Sequence, residues 1–255
     1  VSIDVRQYIL WAKSPTHRAR VAQAEEIFRR ARHVGPISIA SSWGKDSGPL
    51  CDIAIHLFGP ETTILHMASP YELPGYDDVV AYFSARARVV TLPSARSLDE
   101  YIEWCRAIGL PHERSKSAQQ HAVQTLKRDR GTTWAAEHGF IVQTLGMRIA
   151  EKGPRARVLS ARGPLYMRVA GDWIACPLAH WTGLDVWAYT LTHGVPYNRR
   201  IYDAETHGFT RETLRNTGWL STDGADRGRL VWLSRHFPAE FRMLKSHFPE
   251  VRALR

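Results

Sequence analysis

The sequence predicts an α/β fold: an open, mainly parallel, twisted sheet with helices on both faces, followed by a helical or irregular C-terminal extension. Three observations carry the prediction. Short apolar runs bounded by Gly and Pro alternate with segments whose apolar residues recur at helical spacing. The helical segments are about 10–15 residues long, the length of the crossovers in βαβ units. With 255 residues, 44% hydrophobic and 23% charged, the chain can build one large core.

Residues 2–34 read as helical, with Ser14-Pro15 as a start and Val21, Ala24, Ile27 and Phe28 on one face. Gly35-Pro36 ends that pattern, and Ile37–Ala40 reads as a buried strand. A helix is predicted over Ser47–Leu57, a strand over Thr62–Met67, and a Pro/Gly-punctuated loop through Pro70, Pro74 and Gly75. A helix over Tyr76–Ala85, a strand over Arg88–Leu92 and a helix over Ser97–Ala107 follow. Residues 115–138 read as a polar helix and Phe140–Leu145 as a strand. No low-complexity linker interrupts the chain. The echo of His236-Phe237-Pro238 in His247-Phe248-Pro249 is too short for a repeat architecture. The expected organisation is a helical segment over 1–34 packed on the core, an α/β domain over 35–205, and an extension over 206–255.

Composition narrows the function classes. No apolar run approaches the roughly 20 residues that span a bilayer, and VSIDVRQYILWAKSP has no basic segment before an apolar core. A cytoplasmic location is expected, with no membrane partner. Cys51, Cys105 and Cys176 are far apart and lack zinc-ligand spacing, which predicts reduced structural thiols. An iron–sulfur cluster needs about four thiolates and is not expected. The net charge of +9 is mostly arginine, since lysine contributes six of the 34 basic residues. Arginine's planar fork suits phosphate and sulfate. The basic residues concentrate between Arg148 and Arg168, which favours a focused anion site over a nucleic-acid face.

The first predicted strand runs into Ser41-Ser42-Trp43-Gly44-Lys45-Asp46-Ser47. In an open parallel sheet, ligands bind beyond the carboxyl ends of the strands. Gly44 permits backbone angles closed to other residues, Ser42 and Ser47 add hydroxyls, Lys45 adds charge, and the next helix points its positive N-terminus at the loop. These are parts of a phosphate cradle. A Walker A loop would need Gly and Ser/Thr where Ile39 and Asp46 stand. Downstream, Gly146 opens a second stretch carrying Arg148, Lys152, Arg155 and Arg157 within ten residues of each other. Following a strand, it is expected on the same rim as the first loop, so the two can grip one anion. A third stretch runs from Cys176 to Tyr189, with Thr182 as a fair N-cap and Trp187 and Tyr189 as core residues.

The three stretches together resemble the PP-loop ATP pyrophosphatase superfamily, within it the phosphoadenylyl-sulfate (PAPS) reductase family that includes the ATP sulfurylase small subunit. Ser42–Ser47 is similar to the PP-loop, though Trp43 stands where many members have glycine. Gly146–Arg157 resembles the family's G-x-R-x-x-E loop, and Pro177–Tyr189 its P-[LI]-x-x-W-[ST]-x-x-D-[VI]-W-x-Y segment. Met67 and Ala68 sit where the family's second strand borders adenine. The resemblance covers about residues 30–205. It implies an adenine nucleotide alpha-hydrolase-like, Rossmann-like fold, and ATP or PAPS as ligand, with Mg²⁺ assisting.

One departure matters. PAPS reductases carry a nucleophilic cysteine near the C-terminus, whereas residues 190–255 here contain none. The resemblance then implies cleavage of ATP between its α- and β-phosphates, with AMP transferred to an anionic small-molecule acceptor such as sulfate. Lys45, Asp46, Arg148 and Arg155 are the catalytic candidates, Asp46 doubling as the candidate Mg²⁺ ligand. Ser41, Ser42, Trp43, Gly44, Lys45, Asp46, Ser47, Met67, Ala68, Gly146, Arg148, Lys152 and Arg157 are the binding candidates. A GTPase subunit or a thiol donor is the expected kind of protein partner. One alternative is a PAPS-binding component that borrows a partner's thiol. Another is a nucleic-acid-associated module, such as a component of DNA sulfur modification, using Arg211, Arg215, Arg227, Arg229 and Arg235 among Trp219, Trp232 and Phe237. A helical cap with packed aromatics is the favoured reading of that tail.

Overall fold

A computed structural model describes residues 5–70, 72–108, 129–151, 153–169, 171–204, 211–214, 216 and 226–247. Residues 115–128 of the predicted polar helix, Lys152, Arg215 and Trp219 lie outside the described residues, as do the side chains of Arg155, Arg227 and Arg229.

The strands form where short apolar runs can be buried on both faces. They are β1 (Ile37–Ser41), β2 (Thr63–Met67), β3 (Arg88–Leu92), β4 (Val142–Thr144), β5 (Leu165–Met167) and β6 (Trp173–Ala175). The six form one sheet in the order β3-β2-β1-β4-β6-β5. Every pairing is parallel except β5 with β6. The near-continuous burial of β1 and β2 follows from their interior position, because helices cover both faces of a parallel sheet. The strands β5 and β6 were not foreseen. Each is three residues long, too short to show alternation in the sequence.

The helices are α1 (Val5–Ala12), α2 (Pro15–Val34), α3 (Ser47–Phe58), α4 (Asp77–Ser84), α5 (Leu98–Ile108), α6 (Asp129–Glu137), α7 (Gly153–Arg162), α8 (Gly183–Thr192), α9 (Arg199–Tyr202), α10 (Asp226–His236) and α11 (Pro238–His247). The Ser14-Pro15 start is present: Ser14 accepts a hydrogen bond from the His17 amide at 3.1 Å. Thr182 caps α8 in a reciprocal capping box with Asp185. The basic stretch after β4 was expected to be a loop, but its second half is α7. Gly153 takes a left-handed angle (φ 80°) at its start, and Ala156 and Leu159, three apart, are both buried.

One core lies between the sheet and α2, α3, α4 and α8, centred on Phe28, Ile39, Leu50, Ile64 and Trp181. A second joins α8 to α9, α10 and α11 through Trp187, Tyr202, Trp232, Leu233 and Phe237. The aromatics of the described tail are therefore packed, as a helical cap requires. No helix among the described residues is long and apolar enough to cross a membrane.

The strand order decides where a ligand can sit. The chain moves from β1 outward through β2 to β3, then returns to place β4 on the other side of β1. The strand order, though not the strand direction, reverses between β1 and β4, and in open α/β sheets the ligand crevice lies beyond the carboxyl ends at such a point. The two loops singled out in the sequence, after β1 and after β4, flank that crevice.

Candidate nucleotide site

The loop after β1 is organised from within. Ser47 Oγ accepts from the Ser42 amide at 3.1 Å and lies 3.3 Å from Ser42 Oγ. Ser41 Oγ accepts from the Trp43 amide at 3.2 Å, and Tyr202 Oη accepts from the Lys45 amide at 3.1 Å. The amides of Gly44 and Asp46 donate to no group among the described residues, so they are the two left for an anion at the N-terminus of α3.

The left-handed residue of the loop is Trp43 (φ 54°), not Gly44. Gly44 is closely packed instead: a Cβ there would lie 3.3 Å from Ser42 Oγ, a tight contact. A left-handed angle costs a non-glycine residue about 1–2 kcal/mol. Trp43 offsets this by burying its indole, 2% exposed, against Phe83 and His66 at ring distances of 6.0 and 5.4 Å. Burial of a large apolar side chain stabilises by about 1.5–3 kcal/mol.

Lys45 is buried, and its Nζ donates to Asp46 Oδ2 at 2.7 Å. Arg148, 1% exposed, reaches across from the loop after β4. Its Nε is 2.8 Å from Asp46 Oδ1, an ion-pair contact off the hydrogen-bonding angle, while an Nη donates to Glu212 at 2.7 Å. Glu151 stands 4.0 Å from the same guanidinium. Burial opposes the Arg148 charge, but Asp46 and Glu212 outweigh it and hold the pKa above its ordinary value. The second loop is seated by its amides: Leu145 donates to Ala175 O at 2.8 Å and Ile149 to Ala179 O at 2.9 Å. Gly146 lies so close to the first loop that a Cβ would touch Asp46 at 3.4 Å.

The structure thus brings Ser41, Ser42, Trp43, Gly44, Lys45, Asp46, Ser47, Gly146 and Arg148 together. Met67 and Ala68 lie at the carboxyl end of β2 on the same rim, where the Ala68 amide is engaged by Leu92 O at 3.0 Å. Arg157 is not brought in. It is exposed on α7, beside an open hollow of about 550 Å³ lined also by Ile149, Ala156 and Ser160, and forms no ion pair among the described residues.

Four contributors were missed in the sequence. His66 lies 3.0 Å from Ser41 O through Nδ1, which must donate, and 3.2 Å from Glu72 through Nε2. Glu72 also accepts from the Tyr76 hydroxyl at 2.8 Å and the Ser69 amide at 3.0 Å. Burial and the adjacent Glu72 raise the pKa of Tyr76, so it remains a donor. Tyr202, Glu212 and Asn216 reach the loops from beyond α8. Only His66 carried a local signal, a polar residue at an interior position of an apolar strand.

Asp46 offers no oxygen free of a cation, since Lys45 faces one and Arg148 the other. Among the described residues no group of three or more His, Cys, Asp or Glu side chains is arranged to hold a metal. That donor set fits a Mg²⁺ carried on substrate phosphates with at most one protein carboxylate, a usual mode for this ion.

The side chain of Cys105 lies outside the described residues, and the other two cysteines are poor nucleophiles. Cys51 and Cys176 are fully buried, and burial pushes the Cys51 thiol up to about 12.

Comparison with known proteins bears on the family and the fold. A family model described as phosphoadenosine phosphosulfate reductase domain matches residues 36–211. No curated protein sequence matches significantly. Among solved structures, yeast FAD synthetase in complex with FAD is similar at 14% identity and TM-score 0.52, over 76% of this chain and 66% of that one. NMN synthetase from Francisella tularensis is similar at 11% identity and TM-score 0.50, over 94% and 97%. PAPS reductase from Candida auris, as a phosphate complex, matches at 18% identity and TM-score 0.49, over 69% and 82%. The first two likenesses bear on the fold.

Proposed function

Because the chain belongs to the phosphoadenosine phosphosulfate reductase domain family, we propose that its crevice binds ATP and cleaves it between the α- and β-phosphates, transferring AMP to an anionic acceptor, with sulfate the first candidate. The observation that carries this reading is the Asp46–Arg148 contact at 2.8 Å. It joins the two anion-seeking loops at the point where the strand order reverses.

The Gly44 and Asp46 amides and the α3 N-terminus receive the β,γ-phosphates, with Ser42 and Ser47 holding the loop in shape. Lys45 and Arg148, drawn from Asp46 and Glu212 by the incoming phosphate, offset the charge that builds on departing pyrophosphate. Arg155 is assigned to the same task from α7. Asp46 keeps both cations aimed at the crevice until the nucleotide arrives. Mg²⁺, when bound, screens the phosphate charge, and Asp46 is the carboxylate that would share in holding it. The adenine lies toward Met67 and Ala68. Sulfate attacks as an oxyanion and needs no general base.

The buried thiols of Cys51 and Cys176 favour adenylyl transfer over a reduction in which either of these two would be the nucleophile. The second reading, a PAPS-binding component that uses a partner's thiol, rests on the family match alone.

Calorimetric titration with Mg-ATP and with PAPS separates the two, since a preference for PAPS would overturn adenylyl transfer. Asp46→Asn and Asp46→Ala should each lower pyrophosphate release by about 100-fold or more with an unchanged circular dichroism spectrum. Release at the wild-type rate would sink the assignment.

A further inference from the structure

Trp43 is the one non-glycine residue with a left-handed backbone among the described residues. Such a conformation persists only where the surroundings over-determine it. Here both polar groups of the residue's own backbone are held. Its amide is bound to Ser41 Oγ, and its carbonyl accepts from Asn216 Nδ2 at 2.5 Å. The same Nδ2 lies 3.3 Å from Ser42 O, so one NH₂ group, which has two protons to give, faces two consecutive loop carbonyls. Asn216 is 3% exposed, and its backbone carbonyl accepts from the Leu73 amide at 3.0 Å. It therefore ties the loop after β1 to the loop after β2, from a position 173 residues beyond Trp43.

We propose that Asn216 is a positioning residue for phosphate binding: by holding the Ser42 and Trp43 carbonyls it keeps Trp43 left-handed, which leaves the Gly44 and Asp46 amides unclaimed for a phosphate. Without the donor, the Trp43 peptide relaxes to a right-handed or extended form and turns the Gly44 amide with it. The inference rests on the reading that this loop binds phosphate. A glycine at position 43 would adopt the angle freely and would not need the clasp.

The test is calorimetric titration of the full chain with inorganic pyrophosphate and with Mg-ATP, for wild type, Asn216→Ala and Asn216→Asp, with thermal midpoints recorded alongside. Loss of the donor should weaken binding of both probes about tenfold. N216D should bind more weakly still, because its carboxylate opposes two carbonyl oxygens with no proton between them. In a Trp43→Gly background the N216A loss should shrink to less than about threefold. Unchanged affinity in N216A and N216D overturns the proposal, as does an equal loss with Trp43 and with glycine at that position. If Trp43→Gly, which empties a core site, does not fold, the ranking of N216D below N216A decides, and equal losses in the two overturn it. If wild type itself binds neither probe, the phosphate-loop reading fails and this proposal with it, an outcome distinct from failure of the variants alone.

Discussion

At Asp185 five donor contacts converge on one buried carboxylate. Trp11 Nε1 lies at 2.7 Å, His17 Nδ1 at 3.0 Å, Arg20 Nη at 2.5 Å, and the Thr182 amide and hydroxyl at 2.7 Å each. Burial alone would raise its pKa, but the bonds from His17, Thr182 and Trp11 prevail and hold it well below the ordinary carboxylate value. Since the folded pKa is depressed, the stabilisation is fully present above the unfolded value of about 3.9 and is lost as pH falls toward the folded one. Asp185→Asn should cost roughly 3–5 kcal/mol at neutral pH, the range for breaking a buried ion pair. Thermal midpoints of variant and wild type should begin to converge only as pH falls below about 4. A constant gap down to pH 2 would contradict this account. The sequence marked Asp185 only as part of a capped amphipathic helix. Its partners at positions 11, 17 and 20 come from elements that no local pattern connects to it.

Among the elements, α1 and α2 owe their place to those bonds. The helix α1 lies along α8, burying Tyr8 and donating from Trp11. Removing residues 1–13 should lower the thermal midpoint by roughly 5–10 °C and leave pyrophosphate affinity within about twofold of wild type, because the helix packs chiefly on α8 and α2. A tenfold loss of affinity would show that the N-terminal segment shapes the site. Most elements near the site were legible. β1–β4, α3, α4 and α5 lie within one or two residues of their expected bounds, since burial on both faces or on one stripe writes itself into periodicity. The β5–β6 pair and the start of α7 were not legible. Three-residue strands have too few positions for a pattern, and the charges at Arg155 and Arg157 masked the small buried face of a helix.

For the whole molecule, the charge of +9 raises the question of nucleic acid. Several arginines are spent on internal partners: Arg20 on Asp185, Arg29 on Glu25, Arg148 on Asp46 and Glu212, Arg168 on Asp172. Duplex DNA should therefore bind no more tightly than the non-specific range of about 10⁻⁴–10⁻⁶ M at physiological salt. Fluorescence anisotropy across a salt series would measure it. Nanomolar affinity would favour a nucleic-acid role over small-molecule chemistry.

The sequence by itself determined the α/β class, the Ser/Gly/Lys/Asp loop at 42–47 at the end of β1 and the basic residue at 148 after β4, because strand burial, helix faces and loop chemistry are all properties of neighbouring residues. Only the tertiary structure decided that Arg148 meets Asp46, that Trp43 rather than Gly44 bears the left-handed turn, and that Tyr202, Glu212 and Asn216 complete the rim. Those contacts join residues roughly 60–170 positions apart. They exist because the strand order opens a crevice beside β1 and because the second core packs the chain after α8 against it.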